Sequence, residues 1–480
     1  MYKRSGGNLL PGRDAKVIRR LTPKVGLLPL ILELYDQRLP ELRGKQQELV
    51  AEVSSALAAF SEVTCEGICC RKGEVQSAVS RFEAEGCDAI VVLFTAYAPS
   101  LVAADALVGT ELPILIFNTQ ISYALDRSNL LEELLRNHGM HGVQDLANVL
   151  LRRGKQHHIV TGHFSRAEPR QELRDWLRAC ALRRYLMGSA VGLIGAQFEG
   201  MGDFQFDHEE LRTVFGTRVE EIGQEELASA MDDVPAGAIE KAIERDRKSF
   251  EVDPSLTEEE LKLSEGLSLA VLGKLESAGC CGWSMNFLDV GQGGILPTVP
   301  FLAASRSLEQ GYGYAGEGDA LSALGVFVCQ QLCPPASFTE MFCMDPKSGS
   351  VLLSHMGEAN YAMADGRVHL VRKDFAFGDC ARPATPVFAF KPGDATLVNL
   401  IPAPGGGFRL ITARVQMQKW DVNLQLQSPQ GYMEPEKALP DFLNEYSAYG
   451  GSHHLSLTYG DNAGKIAKFA ALCGVQCVSM

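Results

Sequence analysis

The sequence predicts an α/β protein in which two Rossmann-like parallel-sheet domains precede a C-terminal, barrel-like domain rich in antiparallel β-structure. Three observations carry the prediction. From residue 25 to about 165, short apolar runs alternate with helical patterns, the rhythm of a parallel sheet wrapped by helices. A second cycle of the same kind begins near residue 190. Beyond about 340, extended runs follow one another with turn signals between them. These shifts place domains at 1–165, 166–335 and 336–480.

Taken in order, "VGLLPLIL" from residue 25 is a first buried strand and 37–60 a helix. "AIVVLF" follows a helix that runs through Glu83, and "PILIFN" precedes a helical stretch from Asn129. The second cycle opens with "AVGLIGA" at 190, continues through "TRVEEIG", and passes into charged helices at 236–277 with "EVDPSL" as a turn between them. In the last third, "VHLVRKDF", "PVFAF", "DATLVNLI" and "FRLITARVQ" read as strands, and "KPGD" and "PAPGGG" as turns. "PGGGF" is flanked by strands on both sides and is therefore a hairpin turn rather than a phosphate loop. The chain closes with a helix at "GKIAKFAALCG".

The chain has 480 residues, 46% hydrophobic and 22% charged, which suits an ordinary globular protein of two or three domains. A net charge of -14 disfavours nucleic acid or an anionic membrane as partner. The 13 cysteines are scattered, with adjacent pairs at Cys69-Cys70 and Cys280-Cys281 and no paired C-x-x-C motifs, as expected of thiols in a reducing, cytoplasmic setting. The basic start, with Lys3, Arg4, Arg13, Arg19, Arg20 and Lys24, leads into "VGLLPLILEL", which superficially resembles a signal peptide. A charged, helix-like segment follows it at once with no small-residue cleavage site, so a strand entering a helix is expected. No stretch is long enough to span a bilayer.

The first six residues of "GYGYAGEGD", 311–319, match the G-x-G-x-x-G of dinucleotide-binding loops. That motif needs a strand before its glycines. Here the preceding segment has Phe301, Leu302 and Leu308 at helix-like spacing, so no nucleotide is expected and the glutamate among the glycines becomes the point of interest. Glycine lets backbone approach a ligand closely. Four stretches set metal-type ligands beside glycine or at the edges of elements: Glu317 in "AGEGD", Glu340 in "SFTEMF", His355 in "LLSHMGE", and His453 and His454 in "GGSHH". Two carboxylates with one or two imidazoles suit a divalent ion such as Mn²⁺, Co²⁺ or Mg²⁺ better than a thiolate-bound zinc. The triple "HHIVTGHF", with His157, His158 and His163, has no carboxylate at ligand spacing and reads as structural.

In this order, "GYGYAGEGDALSALGVF", "SFTEMF", "LLSHMGEAN" and "GGSHHLSLTYG" resemble the L-arabinose isomerases and, more distantly, the L-fucose isomerases. The likeness is strongest over 280–480 and thinner through 136–164. It implies metal ligation by Glu317, Glu340, His355 and His454. It also implies aldose–ketose isomerisation, in which Glu317 and Glu340 serve as acid and base through an enediol; a metal-assisted hydride shift would use the same ligands. Sugar contacts are implied at His138, His141, Phe287 and His453. The family likewise implies a homo-oligomer, trimer or hexamer, whose active site lies at a subunit interface.

Substrate recognition departs from the family. Asn118 stands where a His is expected, His138 where a Gln is, and Leu32 at a usual Gln; Met341-Phe342 replace Asp-Tyr. The sugar expected is therefore L-arabinose-like or L-fucose-like, with a different pentose or hexose as an alternative. A non-catalytic sugar-binding relative and a nucleotide-dependent oxidoreductase are the rival readings. Retention of all four candidate ligands, both carboxylates among them, speaks against the first, and the misplaced glycine motif against the second.

Overall fold

The longest apolar runs become central strands of parallel sheets, because strands covered by helices on both faces have no solvent side to fill with polar residues. A computed structural model describes residues 21–290, 295–377 and 380–480. The basic residues Lys3, Arg4, Arg13, Arg19 and Arg20 lie outside the described residues. Two compact units form, 21–184 and 185–480.

In the first unit, β1 (Lys24–Leu30), β2 (Glu62–Cys65), β3 (Ala89–Phe94), β4 (Ile114–Asn118) and β5 (His157–Thr161) make an all-parallel sheet of order β2-β1-β3-β4-β5. Every residue of β3 is buried. Helices over Pro40–Ala58, Lys72–Ala84 and Met140–Arg152 bring Val75, Val79, Phe82, Leu146 and Leu150 into the core. The histidines of "HHIVTGHF" are engaged locally: the His158 ring stacks on Trp176 at 3.7 Å, and His163 bonds Ser165 and the Ile121 carbonyl.

The second unit opens with β6 (Ala190–Ile194), β7 (Arg218–Ile222), β8 (Glu251–Val252), β9 (Cys280–Met285) and β10 (Gly313–Gly316). Four of these form a parallel sheet of order β10-β9-β6-β7. The helix Glu258–Ala278 starts at a capping box in which Thr257 and Glu260 satisfy each other's backbone donors. β10 lies inside the glycine-rich motif, between a helix over Phe301–Glu309 and one over Ala320–Leu332. A Cβ at Gly313 would stand 2.0 Å from the Ala323 carbonyl oxygen, so this glycine serves close packing of strand on helix.

The remaining strands are β11 (Ala336–Asp345), β12 (Ser350–Ser354), β13 (His369–Arg372), β14 (Ala384–Val387), β15 (Gly393–Pro402), β16 (Phe408–Met417), β17 (Gln430–Pro435), β18 (His454–Tyr459) and β19 (Gln476–Ser479). The antiparallel pairings run β15-β18-β11-β12-β17-β16 and return from β16 to β15, closing a barrel, with β19 added parallel to β16. Its core includes Leu353, Phe388, Phe390, Leu397, Ile411, Val415, Met433 and Leu457. The fold class is as the sequence predicts, with one local difference. "EVDPSL" is more than a turn: β8 pairs with β13, and β13 with β14, in a separate three-stranded sheet, so "VHLVRKDF" and the start of "PVFAF" lie outside the barrel. A two-residue strand has no periodicity to read.

One buried charge cluster fastens the helices behind the central sheet. The Arg306 guanidinium, 2% exposed, donates to Asp246 at 2.7 Å and to both carboxylate oxygens of Glu265. These residues tie helices Ala236–Ser249, Glu258–Ala278 and Phe301–Glu309 together. Removing one member of a buried ionic cluster leaves its partners charged and unpaired, at a cost of about 3–5 kcal/mol. Arg306→Leu is therefore expected to lower unfolding stability by about that amount in denaturant titration, whereas a substitution at the exposed Arg367 should stay within about 0.5 kcal/mol.

Candidate metal centre

The site is built where the central sheet's β10 turns into helix Ala320–Leu332, against the barrel strands β11, β12 and β18. Glu317 occupies that turn with φ +61°, a left-handed conformation uncommon outside glycine. Its backbone carbonyl accepts from the Phe198 amide at 3.0 Å, which holds the turn from the segment after β6. Asp319, fully buried, caps the helix by accepting from the Ser322 amide at 2.8 Å. The glycine before Glu317 is required by a neighbour: a Cβ on Gly316 would come within 2.7 Å of the His355 ring.

Barrel register supplies the other candidate ligands. Glu340 on β11 sits opposite His454 of β18 and opposite Ser354 of β12, the residue before His355. One ligand atom each from Glu317, His355 and His454 lies within 4.8 Å of the others. Glu340 stands at their edge, with Oε2 3.9 Å from His355 Nε2. Of the adjacent histidines, His454 is the one in the group; its Nε2 is 3.4 Å from Glu317 Oε2, fully buried, and has no hydrogen-bond partner. An orphaned buried imidazole nitrogen facing a carboxylate is what a divalent cation would satisfy, and the oxygen and nitrogen donors fit Mn²⁺, Co²⁺ or Mg²⁺.

Each imidazole turns its Nδ1 to a carboxylate. His355 Nδ1 is 2.8 Å from Glu358, His454 Nδ1 3.0 Å from Asp319, and His453 Nδ1 2.6 Å from Asp203. Such partners fix ring orientation and leave Nε2 for a ligand. Glu358, itself buried, also accepts from the Tyr314 hydroxyl at 2.9 Å. The Phe338 ring lies edge-on to both His355 and His454, and Phe204 stacks on His454. The supporting residues Asp203, Asp319, Glu358 and Phe204 carry no sequence signal of their own, except that Asp319 ends "AGEGD".

Burial raises the proton affinity of Glu317, but the imidazoles of His453, His454 and His355 that surround it outweigh burial and hold the carboxyl well below the usual range. Burial pushes Glu340 upward, only partly opposed by the imidazoles. Burial disfavours the charged rings of His453 and His454. Asp203 and Glu317 nevertheless push His453 up to about 10, and Asp319 and Glu317 push His454 up to about 9.

Phe287 follows β9 in a cluster with Phe198, Phe375 and Phe377 at ring separations of 5.7–5.9 Å. His138 and His141 belong to the first unit, where His138 Nε2 is 2.6 Å from His141 Nδ1 and the Tyr97 ring packs on His138. Asn118 bonds Thr161 at 3.2 Å.

Three family models match, described as the L-arabinose isomerase N-terminal domain over 32–186, central domain over 195–332 and C-terminal domain over 335–476. Among curated relatives, L-arabinose isomerase of Nocardioides sp. is 26% identical over 408 residues, covering 82% of this chain and 80% of its own. That of Bacillus subtilis is 21% identical over 457 residues, 93% of this chain and 91% of its own. That of Bifidobacterium longum is 26% identical over 352 residues, 71% and 69%. No helix among the described residues is long and apolar enough to cross a membrane.

A metal ion bound at His454 Nε2 must displace the proton that the carboxylates favour there. Affinity for Mn²⁺ is thus expected to rise about tenfold per pH unit between about pH 6 and 8, read by calorimetric titration. In the metal-free protein the sign is opposite: the raised His454 stabilises the fold fully below about pH 6.5, and that contribution is lost as pH rises through about 9. A pH-independent Mn²⁺ affinity would remove His454 from the ligand set.

Proposed function

The chain belongs to the L-arabinose isomerase family and is a sugar isomerase, an intramolecular oxidoreductase, and from that premise we propose that it interconverts an L-arabinose-like or L-fucose-like aldose with its ketose through an enediol. In this reading Glu317, Glu340, His355 and His454 hold a divalent ion. The supporting observation is the convergence of Glu317, His355 and His454 within 4.8 Å, with the orphaned His454 Nε2 among them and Glu340 alongside. A bound Mn²⁺, Co²⁺ or Mg²⁺ would polarise the two sugar oxygens as a Lewis acid.

The chain's own residues supply the rest. Glu340 in this reading takes the proton from C2 and returns it to C1, a role supported by its carboxyl not being held between two imidazoles. Glu317 faces His453 and His454 and serves as ligand and as the second acid/base group. Phe287 and its aromatic neighbours offer an apolar wall for the sugar's carbon face. No nucleotide takes part, and the division into domains at 165 and 335 belongs to the same reading, as does a cytoplasmic setting.

Glu340→Gln keeps shape and removes the proton-carrying carboxyl. Turnover of the best sugar, found by screening pentoses, hexoses and 6-deoxyhexoses with Mn²⁺, should fall about 10²–10⁴-fold while the fold survives. Metal content is measured on the same sample. Normal metal with undiminished turnover would remove Glu340 from the chemistry.

We also propose a homo-oligomer, trimer or hexamer, in which His138 and His141 of a neighbouring copy complete the site. Sedimentation should find no monomer under assay conditions. A fully active monomer would rule the arrangement out.

A further inference from the structure

We propose that Asp203 is the positioning residue for His453, holding its imidazole at the solvent side of the metal centre to meet a hydroxyl of the incoming sugar. The inference rests on the reading of His453 as a sugar contact.

Asp203 lies in the segment after β6, 250 positions from His453, yet a single carboxylate oxygen, Oδ2, takes two hydrogen bonds from it. The His453 backbone amide donates at 3.1 Å and the ring Nδ1 at 2.6 Å. Holding backbone and ring from one point sets the side-chain torsions of His453 as well as which nitrogen faces inward. The inward atom is Nε2, 3.6 Å from Glu317 Oε2.

The residue next to Asp203 repeats the role for the next histidine. Phe204, fully buried, stacks on His454 with ring centroids 5.4 Å apart and planes at 11°. One dipeptide therefore seats both neighbouring imidazoles, by packing for the buried one and by a carboxylate for the other.

The two histidines differ in what they can reach. His454 has a fully buried side chain and joins Glu317 and His355, whereas the His453 side chain is 31% exposed and stands outside that group. An imidazole at the rim, beside a ligand carboxylate and open to solvent, is suited to an entering molecule rather than to the ion. A sugar hydroxyl both donates and accepts, so it can pair with Nε2 in either protonation state. Were Asp203 only a tether between the loop and the barrel, its loss would change stability and leave sugar affinity alone.

The test uses the full chain loaded with Mn²⁺ and compares Asp203→Ala, Asp203→Asn, His453→Gln and the double variant Asp203→Ala/His453→Gln. Asp203→Ala should raise KM for the best sugar about tenfold or more, with a smaller change in kcat and with Mn²⁺ affinity retained. Asp203→Asn, which keeps an acceptor oxygen, should recover part of the loss. The double variant should lose less than the sum of the two single losses, since Asp203 acts through that ring and only its bond to the 453 backbone amide survives His453→Gln. Additive effects, or a fall in Mn²⁺ affinity with KM unchanged, would overturn the proposal.

Histidine-ring ¹⁵N spectra provide an arm that needs no turnover. The Nδ1–H signal assigned to His453 by its absence in His453→Gln should vanish or shift in Asp203→Ala. If it stays in place, Asp203 does not position the ring. A wild-type protein that isomerises no sugar would sink the proposed function while this spectrum still decided the role of Asp203.

Discussion

Glu317 is in a left-handed turn, and the imidazoles of His453 and His454 face its carboxylate. The turn joins β10 to the helix that Asp319 caps, and the same Asp319 side chain that starts the helix holds His454 Nδ1 from β18. A helix start in the α/β layer and a strand start in the barrel are thereby fixed by one buried carboxylate. Displacing Glu317 would move the ligand group, the cap and the histidine together, which is why glycines flank it: the His355 ring occupies the space where a Cβ at 316 would be. The motif that looks like a nucleotide loop is a strand-to-helix turn whose glycines make room for an imidazole and for close packing.

Three imidazoles, each with Nδ1 on a carboxylate and Nε2 turned inward, form the second layer of the design. A carboxylate partner selects the tautomer and locks the ring, so the orientation of the inward nitrogens does not depend on a ligand being present. The barrel makes this possible because Glu340, His454 and the residue before His355 lie on three adjacent strands in register. Just after Glu340 the β11–β12 register shifts between Met341 and Cys343, and the pairing then continues through Asp345 opposite Ser350.

Much of this was legible in the sequence. The apolar runs of β1, β3, β4 and β6 are fully or almost fully buried parallel strands and read as such, and the change of pattern beyond 340 announces the antiparallel barrel. Glu317, His355 and His454 could be picked out because glycines and strand edges surround them and because the four-block order resembles a known family. The carboxylates behind the histidines could not. Asp203 and Glu358 look like ordinary surface acids, and their meaning lies in partners up to 250 positions away. The ion cluster of Asp246, Glu265 and Arg306 was hidden for the same reason: a charged residue on a helix is by default a solvated one, and only the packing of three helices buries it. The pairing of β8 with β13 was illegible because two residues cannot display a period.

The charges at the centre argue for a cation independently of any likeness. Five carboxyl groups, Glu317, Glu340, Glu358, Asp319 and Asp203, gather around three imidazoles. Lys373, also buried, stands close enough to Glu358 for the two to interact, and its ammonium is bound to the Gln427 carbonyl and the Ser428 hydroxyl. Protonation can relieve part of the excess by charging the rings, and the upward displacement of His453 and His454 is that relief at work. A proton on His454 Nε2 nevertheless gains no aligned acceptor, since that atom is buried without a hydrogen-bond partner. A divalent cation held by His454 and Glu317 would remove the mismatch from both sides, accepting the lone pair of the neutral ring and offsetting the carboxylate's charge. The cluster is therefore poorly satisfied by protons and matched in donor type to an ion carrying two positive charges, and a carboxylate hydrogen-bonded at each Nδ1 would make the corresponding Nε2 a stronger ligand for it.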